Sequence, residues 1–179
     1  MKKYKVIFAG PVGAGKTTAI ASISDQPPIS TNEAASDMTA ARKSQTTVAM
    51  DYGVKYLDNG DLLHLYGTPG QERFDFMWEI LIEGGLGLML LIDNRRENPY
   101  TDLAFYLNAF KSFIDSTGIA IGVVGTDVKD NPKLADYRQE LQRLGRADVP
   151  LFEVDARKKR DVSIMLESLL YSLSREVKA

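Results

Sequence analysis

The sequence has no cysteine, a single histidine (His64) and no long run of apolar residues. Without cysteine, the protein cannot have a disulfide framework, a thiolate metal site or a cysteine nucleophile. The apolar run at residues 6–9 is too short for a signal peptide or a membrane-spanning helix. The formal net charge is only −2, which does not favour a nucleic-acid-binding or membrane-surface protein.

The remaining composition is that of an ordinary globular chain. With 179 residues, 44% of them hydrophobic and 26% charged, it is long enough for one well-packed domain spanning residues 1–179. Neither an N-terminal myristoylation pattern nor a C-terminal prenylated cysteine is present. We therefore expect a cytoplasmic protein with no direct membrane anchor.

Strand-like and helical patterns alternate along the chain. This order predicts an α/β fold, a doubly wound and mostly parallel sheet of about six strands with helices on both faces. A hairpin at Asp58-Asn59-Gly60 would supply one antiparallel edge strand. Residues 25–45 lack a clear period and are predicted to form a long, functional loop. The predicted strands are residues 6–9, 47–57, 61–66, 86–92, 119–124 and 151–154, and the predicted helices are 15–24, 71–83, 100–116, 132–144 and 161–177.

The segment that follows the first strand matches the phosphate-loop pattern G-x-x-x-x-G-K-[ST] in full. Its glycines allow successive backbone N–H groups to point at phosphate oxygens, and the next helix adds its N-terminal dipole. Lys16 is expected to reach the β- and γ-phosphates, and the Thr17 hydroxyl to bind Mg²⁺. The candidate nucleotide-binding residues here are Gly10, Pro11, Val12, Gly13, Ala14, Gly15, Lys16, Thr17 and Thr18.

A second segment, G-T-P-G-Q-E-R-F at residues 67–74, resembles the D-x-x-G-Q-E-R-F region of the Ras, Rab and Arf GTPases. The resemblance implies that Gly70 senses the γ-phosphate through its N–H and that Gln71 orients the attacking water. The stretch T-V-A-M-D-Y at residues 47–52 is similar to the T-I-G-x-D-F stretch of these proteins. It implies that Thr47, or its neighbour Thr46, is the switch threonine that binds Mg²⁺.

Two further segments resemble the base-recognition motifs of the same family. V-G-T-D at residues 124–127 lies where the family has N-K-x-D, and D-A-R at 155–157 lies where it has S-A-K. The resemblance implies that Thr126, Asp127, Ala156 and Arg157 contact the base. The resemblance extends over nearly the whole chain. It is closest to the bacterial MglA-like branch, whose partners include roadblock-type regulators.

Several positions depart from the family pattern. Gly67 replaces the aspartate that contacts Mg²⁺ through water in the family. We therefore expect either that Thr17, Thr47 and the phosphates hold the metal, or that the metal is bound less tightly than in the family. Val124 and Gly125 replace the family's Asn and Lys, which leaves Asp127 to bind the base. Val12 occupies a phosphate-loop position that often needs glycine for fast hydrolysis.

These motifs predict a small GTPase switch that binds GTP or GDP with Mg²⁺ and hydrolyses GTP slowly, with Gln71 and Lys16 as catalytic residues. One alternative is a nucleotide-binding pseudo-GTPase that acts as a scaffold. Another is a P-loop kinase, which is disfavoured because no lid arginine cluster is evident. The resemblance also implies a regulatory protein partner.

Other polar and aromatic residues are given structural interpretations. His64 is expected to pack on the hairpin face, and Asp93 to be structural rather than a Walker B acid. Trp78 could lie in the core or on a partner-facing surface. Arg42 and Lys43 could supply an arginine finger in cis, but a solvated charge pair is favoured.

Overall fold

A computed structural model describes residues 1–30, 50–70 and 75–176, which form one seven-stranded sheet with helices on both faces. The strand order is β2-β3-β4-β1-β5-β6-β7, and every pairing from β4 through β7 is parallel. The α/β architecture and the mostly parallel sheet predicted from the sequence are therefore confirmed. The strands are β1 (Lys3–Ala9), β2 (Ile29–Ser30), β3 (Asp51–Tyr56), β4 (Leu62–Gly67), β5 (Gly87–Asp93), β6 (Ile119–Val124) and β7 (Leu151–Glu153).

Six helices are described, and they pack on the two faces of the sheet to form two apolar core clusters. β5 and β6 are buried at every position because helices cover both faces of the sheet. Helices α3 and α4 pack on one face with Trp78 of α2, and α1 and α6 pack on the other. The helices are α1 (Lys16–Ile23), α2 (Asp75–Ile82), α3 (Pro99–Ala109), α4 (Lys111–Ser116), α5 (Leu134–Arg143) and α6 (Lys159–Glu176).

The sheet has an antiparallel edge, as predicted, but its outermost strand is a different one. The antiparallel strand β3 is not the edge, because the two residues of β2 pair outside it, with Ile29 opposite Tyr52 and Ser30 opposite Asp51. A two-residue strand is too short to show a period of two in the sequence. The sheet accordingly has seven strands rather than about six.

The predicted helix over residues 100–116 is also interrupted. Phe110 (φ −98°, ψ 13°) ends α3 and precedes α4, and its ring is buried in the core. The ring stacks on Trp78 at a centroid distance of 5.0 Å. Trp78 is only 4% exposed and its Nε1 donates to the carbonyl of Pro69, so it is a core residue.

The single histidine has the structural role that its strand position predicts. His64 Nδ1 lies 2.7 Å from the Tyr52 hydroxyl, and its ring lies near those of Tyr52 and Tyr66 on one sheet face. Within the ranges described, no helix combines the length and the apolar character that a membrane crossing needs.

Candidate functional site

The phosphate-loop segment connects β1 to α1 at the carboxyl edge of the sheet. Gly10, Gly13 and Gly15 have φ values of 144°, 81° and 91°, a region that side-chain-bearing residues rarely adopt. A Cβ on Gly10 would lie 2.2 Å from the carbonyl oxygen of Leu91. The glycines thus allow the loop to curl tightly against β5 and to enter α1 at its N-terminus, the geometry that binds anions.

Lys16, the first residue of α1, folds back into this loop. Its Nζ donates to the carbonyl oxygens of Gly10 (2.7 Å) and Pro11 (2.9 Å), and the residue is 7% exposed. Burial lowers the pKa of Lys16 to about 8, and the nearby Asp51 carboxylate opposes this shift. The ammonium group is therefore a fixed, largely desolvated cation at the centre of the loop.

A carboxylate that was not selected from the sequence lies next to Thr17. Thr17 Oγ1 donates to Asp51 Oδ2 at 2.6 Å, although the two residues are 34 positions apart. Asp51 is the cross-strand partner of Gly67, and a Cβ on Gly67 would lie 3.2 Å from Asp51 Oδ2. The acid expected to be missing at Gly67 is thus replaced in space by one from the neighbouring strand.

Gly70, the predicted γ-phosphate sensor, lies against the phosphate loop. A Cβ at Gly70 would lie 2.8 Å from Val12 N and 2.9 Å from Lys16 Nζ. Thr68, two residues earlier, is buried, and its hydroxyl finds no hydrogen-bond partner within the described ranges. The other candidates on the switch segments, Thr46, Thr47, Gln71, Arg42 and Lys43, lie outside the described residues.

The predicted base-binding residues meet in one cavity of about 630 Å³ beside the phosphate loop. The loop after β6, with Asp127, forms part of its wall, and the turn after β7 forms another part. Within the phosphate loop the side chains differ in exposure: Ala14, which lines the cavity, is 1% exposed, whereas Val12, which lies outside it, is 59% exposed. The predicted residues that line it are Gly13, Ala14, Gly15, Thr18, Thr126, Asp127, Ala156 and Arg157.

Arg95, which sequence reasoning passed over, also lines this cavity. Its guanidinium forms an ion pair with the buried Asp93 and donates from Nη2 to the carbonyl of Gly13 at 3.1 Å. The hydrogen bond from Arg95 to Asp93 and the charge of that carboxylate raise the pKa of the guanidinium, and Asp127 adds to this effect. The signal in the sequence was a charged D-N-R-R segment directly after a buried strand.

Asn94, also unselected, holds the base-side loop in place. Its side chain is fully buried, donates to the carbonyl of Lys129 at 2.5 Å and accepts from the Tyr137 hydroxyl at 2.7 Å. The predicted structural role of Asp93 is consistent with its ion pair. Asp93, Asn94 and Arg95 together connect the end of β5 to both the phosphate loop and the Asp127 loop.

Comparisons with known proteins find sequence similarity to Ras-related proteins. The chain is 21% identical over 169 residues to Ras-related protein Rab-18-B of Danio rerio, covering 93% of this chain and 77% of the relative. It is 23% identical over 180 residues to Ras-related protein Rab-8A of Gallus gallus, covering 98% and 79%. Ras-like protein 1 of Saccharomyces cerevisiae is 24% identical over 179 residues, but the chain spans only 53% of its length.

A family profile described as "Conserved hypothetical ATP binding protein" matches residues 26–174, most of the chain. This match begins after the phosphate loop, so the loop's pattern and geometry are independent evidence for nucleotide binding. The Ras-related similarities extend across the loop as well. The chain belongs to the family of conserved hypothetical ATP binding proteins and is a nucleotide-binding, small GTPase-like protein of the Ras-like superfamily.

Proposed function

We propose that this chain is a GTPase switch that binds GTP or GDP with Mg²⁺ and hydrolyses GTP slowly without a partner. The observation that carries the proposal is the pairing of Thr17 with Asp51 beside Lys16 at the end of the phosphate loop. It brings together a fixed cation for phosphate oxygens and oxygen donors for a metal, the two charges that phosphoryl transfer requires.

The donor set fits Mg²⁺. Asp51 is 8% exposed, and its Oδ1 has no hydrogen-bond partner within the described residues. A buried carboxylate oxygen in this condition is costly unless a cation or donor satisfies it. Mg²⁺ binds few protein oxygens and completes its shell with phosphate oxygens and water. Thr17 and Asp51 would hold the ion, with Thr47 as a further candidate, and the ion would neutralise charge on the phosphates.

Other residues of the chain would bind the phosphates and position the attacking water. Lys16 would bind the β- and γ-phosphates, and the N–H of Gly70, which lies against Val12 and Lys16, would sense the γ-phosphate. Gln71 would orient the attacking water. Loss of the γ-phosphate would release the contacts of Gly70 and Thr47, which is how a switch of this kind changes conformation.

Guanine is the proposed base because a carboxylate reads it directly. Asp127 lines the cavity, and guanine offers N1–H and a 2-amino group to one carboxylate, whereas adenine has an acceptor at N1. Leaving a charged acceptor mispaired costs a few kcal/mol, roughly 1–3 per group. Asp127 would therefore select guanine without the family's Asn and Lys. The words "ATP binding" in the family description favour adenine instead, and competition between GTP and ATP distinguishes the two bases.

The test is a competition assay with labelled GDP. GTP should displace the label at lower concentration than ATP, and Asp127→Asn should shift the preference toward xanthine nucleotides, whose 2-oxo group accepts where guanine donates. Equal displacement by ATP and GTP, with Asp127→Asn unchanged in preference, would reject guanine recognition. Single-turnover hydrolysis separates the switch from a scaffold with little turnover, the second candidate, which Val12 favours.

The biological setting is also a proposal. We propose a cytoplasmic protein of the bacterial MglA-like branch, regulated by a roadblock-type partner, on the basis of the motif resemblance over nearly the whole chain. Nucleotide-dependent binding of a purified roadblock-type protein, assayed with GDP and with a non-hydrolysable GTP analogue, tests the partner.

A further inference from the structure

Two Asp-x-Arg turns of the same construction flank the cavity. Asp93 accepts from the backbone N–H (3.0 Å), Nε (2.8 Å) and Nη2 (2.9 Å) of Arg95. Asp155 accepts from the same three groups of Arg157 at 3.0, 2.9 and 2.8 Å. The first turn follows β5 and the second follows β7, and β6 lies between these strands. The Asp127 loop therefore has an aspartate-held guanidinium on each side.

The side chain of Arg95 lies over the Asp127 loop at Gly125. A Cβ on Gly125 would come within 2.8–2.9 Å of Arg95 Cγ, Cδ and Nε, so glycine leaves the space that the arginine fills. The far end of the guanidinium reaches the phosphate loop at the carbonyl of Gly13. Arg95 thus bridges the phosphate loop and the base loop, while 46% of its side-chain surface stays accessible.

We propose that Arg95 is a nucleotide-positioning residue whose guanidinium plane packs against the purine ring and forms one wall of the base site. This inference rests on the proposed function in one respect, that the cavity binds a purine nucleotide. Planar guanidinium groups stack on aromatic rings, and a group already oriented by Asp93 loses little freedom on binding. Because stacking contacts the face of the base, Arg95 contributes affinity, whereas Asp127 reads the edge and chooses the base.

The matched control is the next residue. Arg96 is accessible to nearly the same degree (45%), but it pairs with Asp102 and lies outside the cavity. Arg95→Ala should weaken binding of GDP, IDP and XDP by a similar factor of about tenfold, the size expected for a cation–π contact of about 1.4 kcal/mol. Arg96→Ala should change these affinities by less than about twofold. Arg95→Lys should resemble Arg95→Ala, because lysine cannot form the planar fork with Asp93.

Inorganic pyrophosphate separates a base contact from simple support of the phosphate loop. If Arg95 contacts the base, Arg95→Ala should leave pyrophosphate affinity, measured by calorimetry, nearly unchanged while GDP affinity falls. Unchanged GDP affinity, or an equal loss for pyrophosphate, would overturn the proposal. Circular dichroism of the nucleotide-free variants checks folding, and if Arg95→Ala is unfolded the Arg95→Lys comparison decides. Failure of the wild-type chain to bind any purine nucleotide would instead reject the proposed function.

Discussion

The carboxylate of Asp51 lies beside the Cα of Gly67, its partner across the β3–β4 pair. A Cβ on Gly67 would approach Asp51 Cβ to 3.1 Å and Oδ2 to 3.2 Å, so a side chain at Gly67 would require Asp51 to shift by a few tenths of an ångström. Glycine at this strand end is therefore more than a lost aspartate. It gives room to an acid on the adjacent strand that bonds Thr17.

The first prediction concerns this exchange of positions. Asp51→Asn should lower Mg²⁺ affinity in the GDP complex by roughly 10–100-fold, because the oxygen cluster loses its charge. The measurement is the rate of GDP release as a function of Mg²⁺ concentration, with chelator present as the metal-free reference. The double variant Asp51→Gly/Gly67→Asp should recover part of the loss by placing the carboxylate on the other strand. Wild-type Mg²⁺ dependence in Asp51→Asn would remove Asp51 from the metal site.

The second prediction is a pH dependence that arises from Lys16. Its pKa of about 8 means that the ammonium loses its charge as pH rises through 8, so affinity for GDP should fall between pH 7 and pH 9. Stability should move the other way. In the nucleotide-free protein, burial of the charged Lys16 lowers the free energy of unfolding below pH 8. Between pH 8 and 10.5 the folded protein loses this charge while the unfolded chain is still protonated, so the free energy of unfolding rises.

Calorimetric titration of GDP at several pH values checks the affinity. Lys16→Met is the control, and it should bind weakly with no fall across this range. A wild-type affinity that is flat from pH 7 to pH 9 would contradict the assignment of Lys16 to the phosphates.

The third prediction addresses turnover. Intrinsic hydrolysis should be slow, roughly 10⁻³–10⁻⁴ per second, as in small GTPases without a partner. Gln71→Leu should lower this rate while GDP affinity stays the same, because the proposed role acts on water rather than on the nucleotide. Single-turnover assays measure the rate, and nucleotide titration supplies the internal control. Equal rates in both proteins would mean that Gln71 has no such role.

The fourth prediction concerns the support of the Asp127 loop. Tyr137→Phe removes the hydroxyl that donates to the fully buried Asn94 and should reduce the free energy of unfolding by about 1–3 kcal/mol. Urea denaturation measures the loss. Tyr100→Phe, which alters a partly buried ring packed edge-on against Tyr137, should cost less than about 0.5 kcal/mol. Equal losses in the two variants would show that the Asn94 contact adds nothing specific.

Local patterns predicted most of the fold. The apolar runs of β5 and β6 and the helical period of α6 are properties of consecutive residues, and they were located within two residues of their observed bounds. The break at Phe110 and the short β2 were missed because each depends on distant partners, the ring stack on Trp78 and the pairing with Tyr52. Strand β2 lies within residues 25–45, which the sequence predicted to be loop, and most of that segment lies outside the described residues.

The sequence by itself determined the phosphate loop, because its glycines, Lys16 and Thr17 act as one continuous segment whose backbone conformation depends on local residue type. Only the tertiary structure decided which charges complete the site. Asp51 reaches Thr17 across 34 residues because the antiparallel strand β3 begins at the carboxyl edge of the parallel strands. Arg95 reaches the Gly13 carbonyl across 82 residues because the parallel strands β1 and β5 both end at that edge. Strand order sets such neighbours, and no spacing along the chain encodes it.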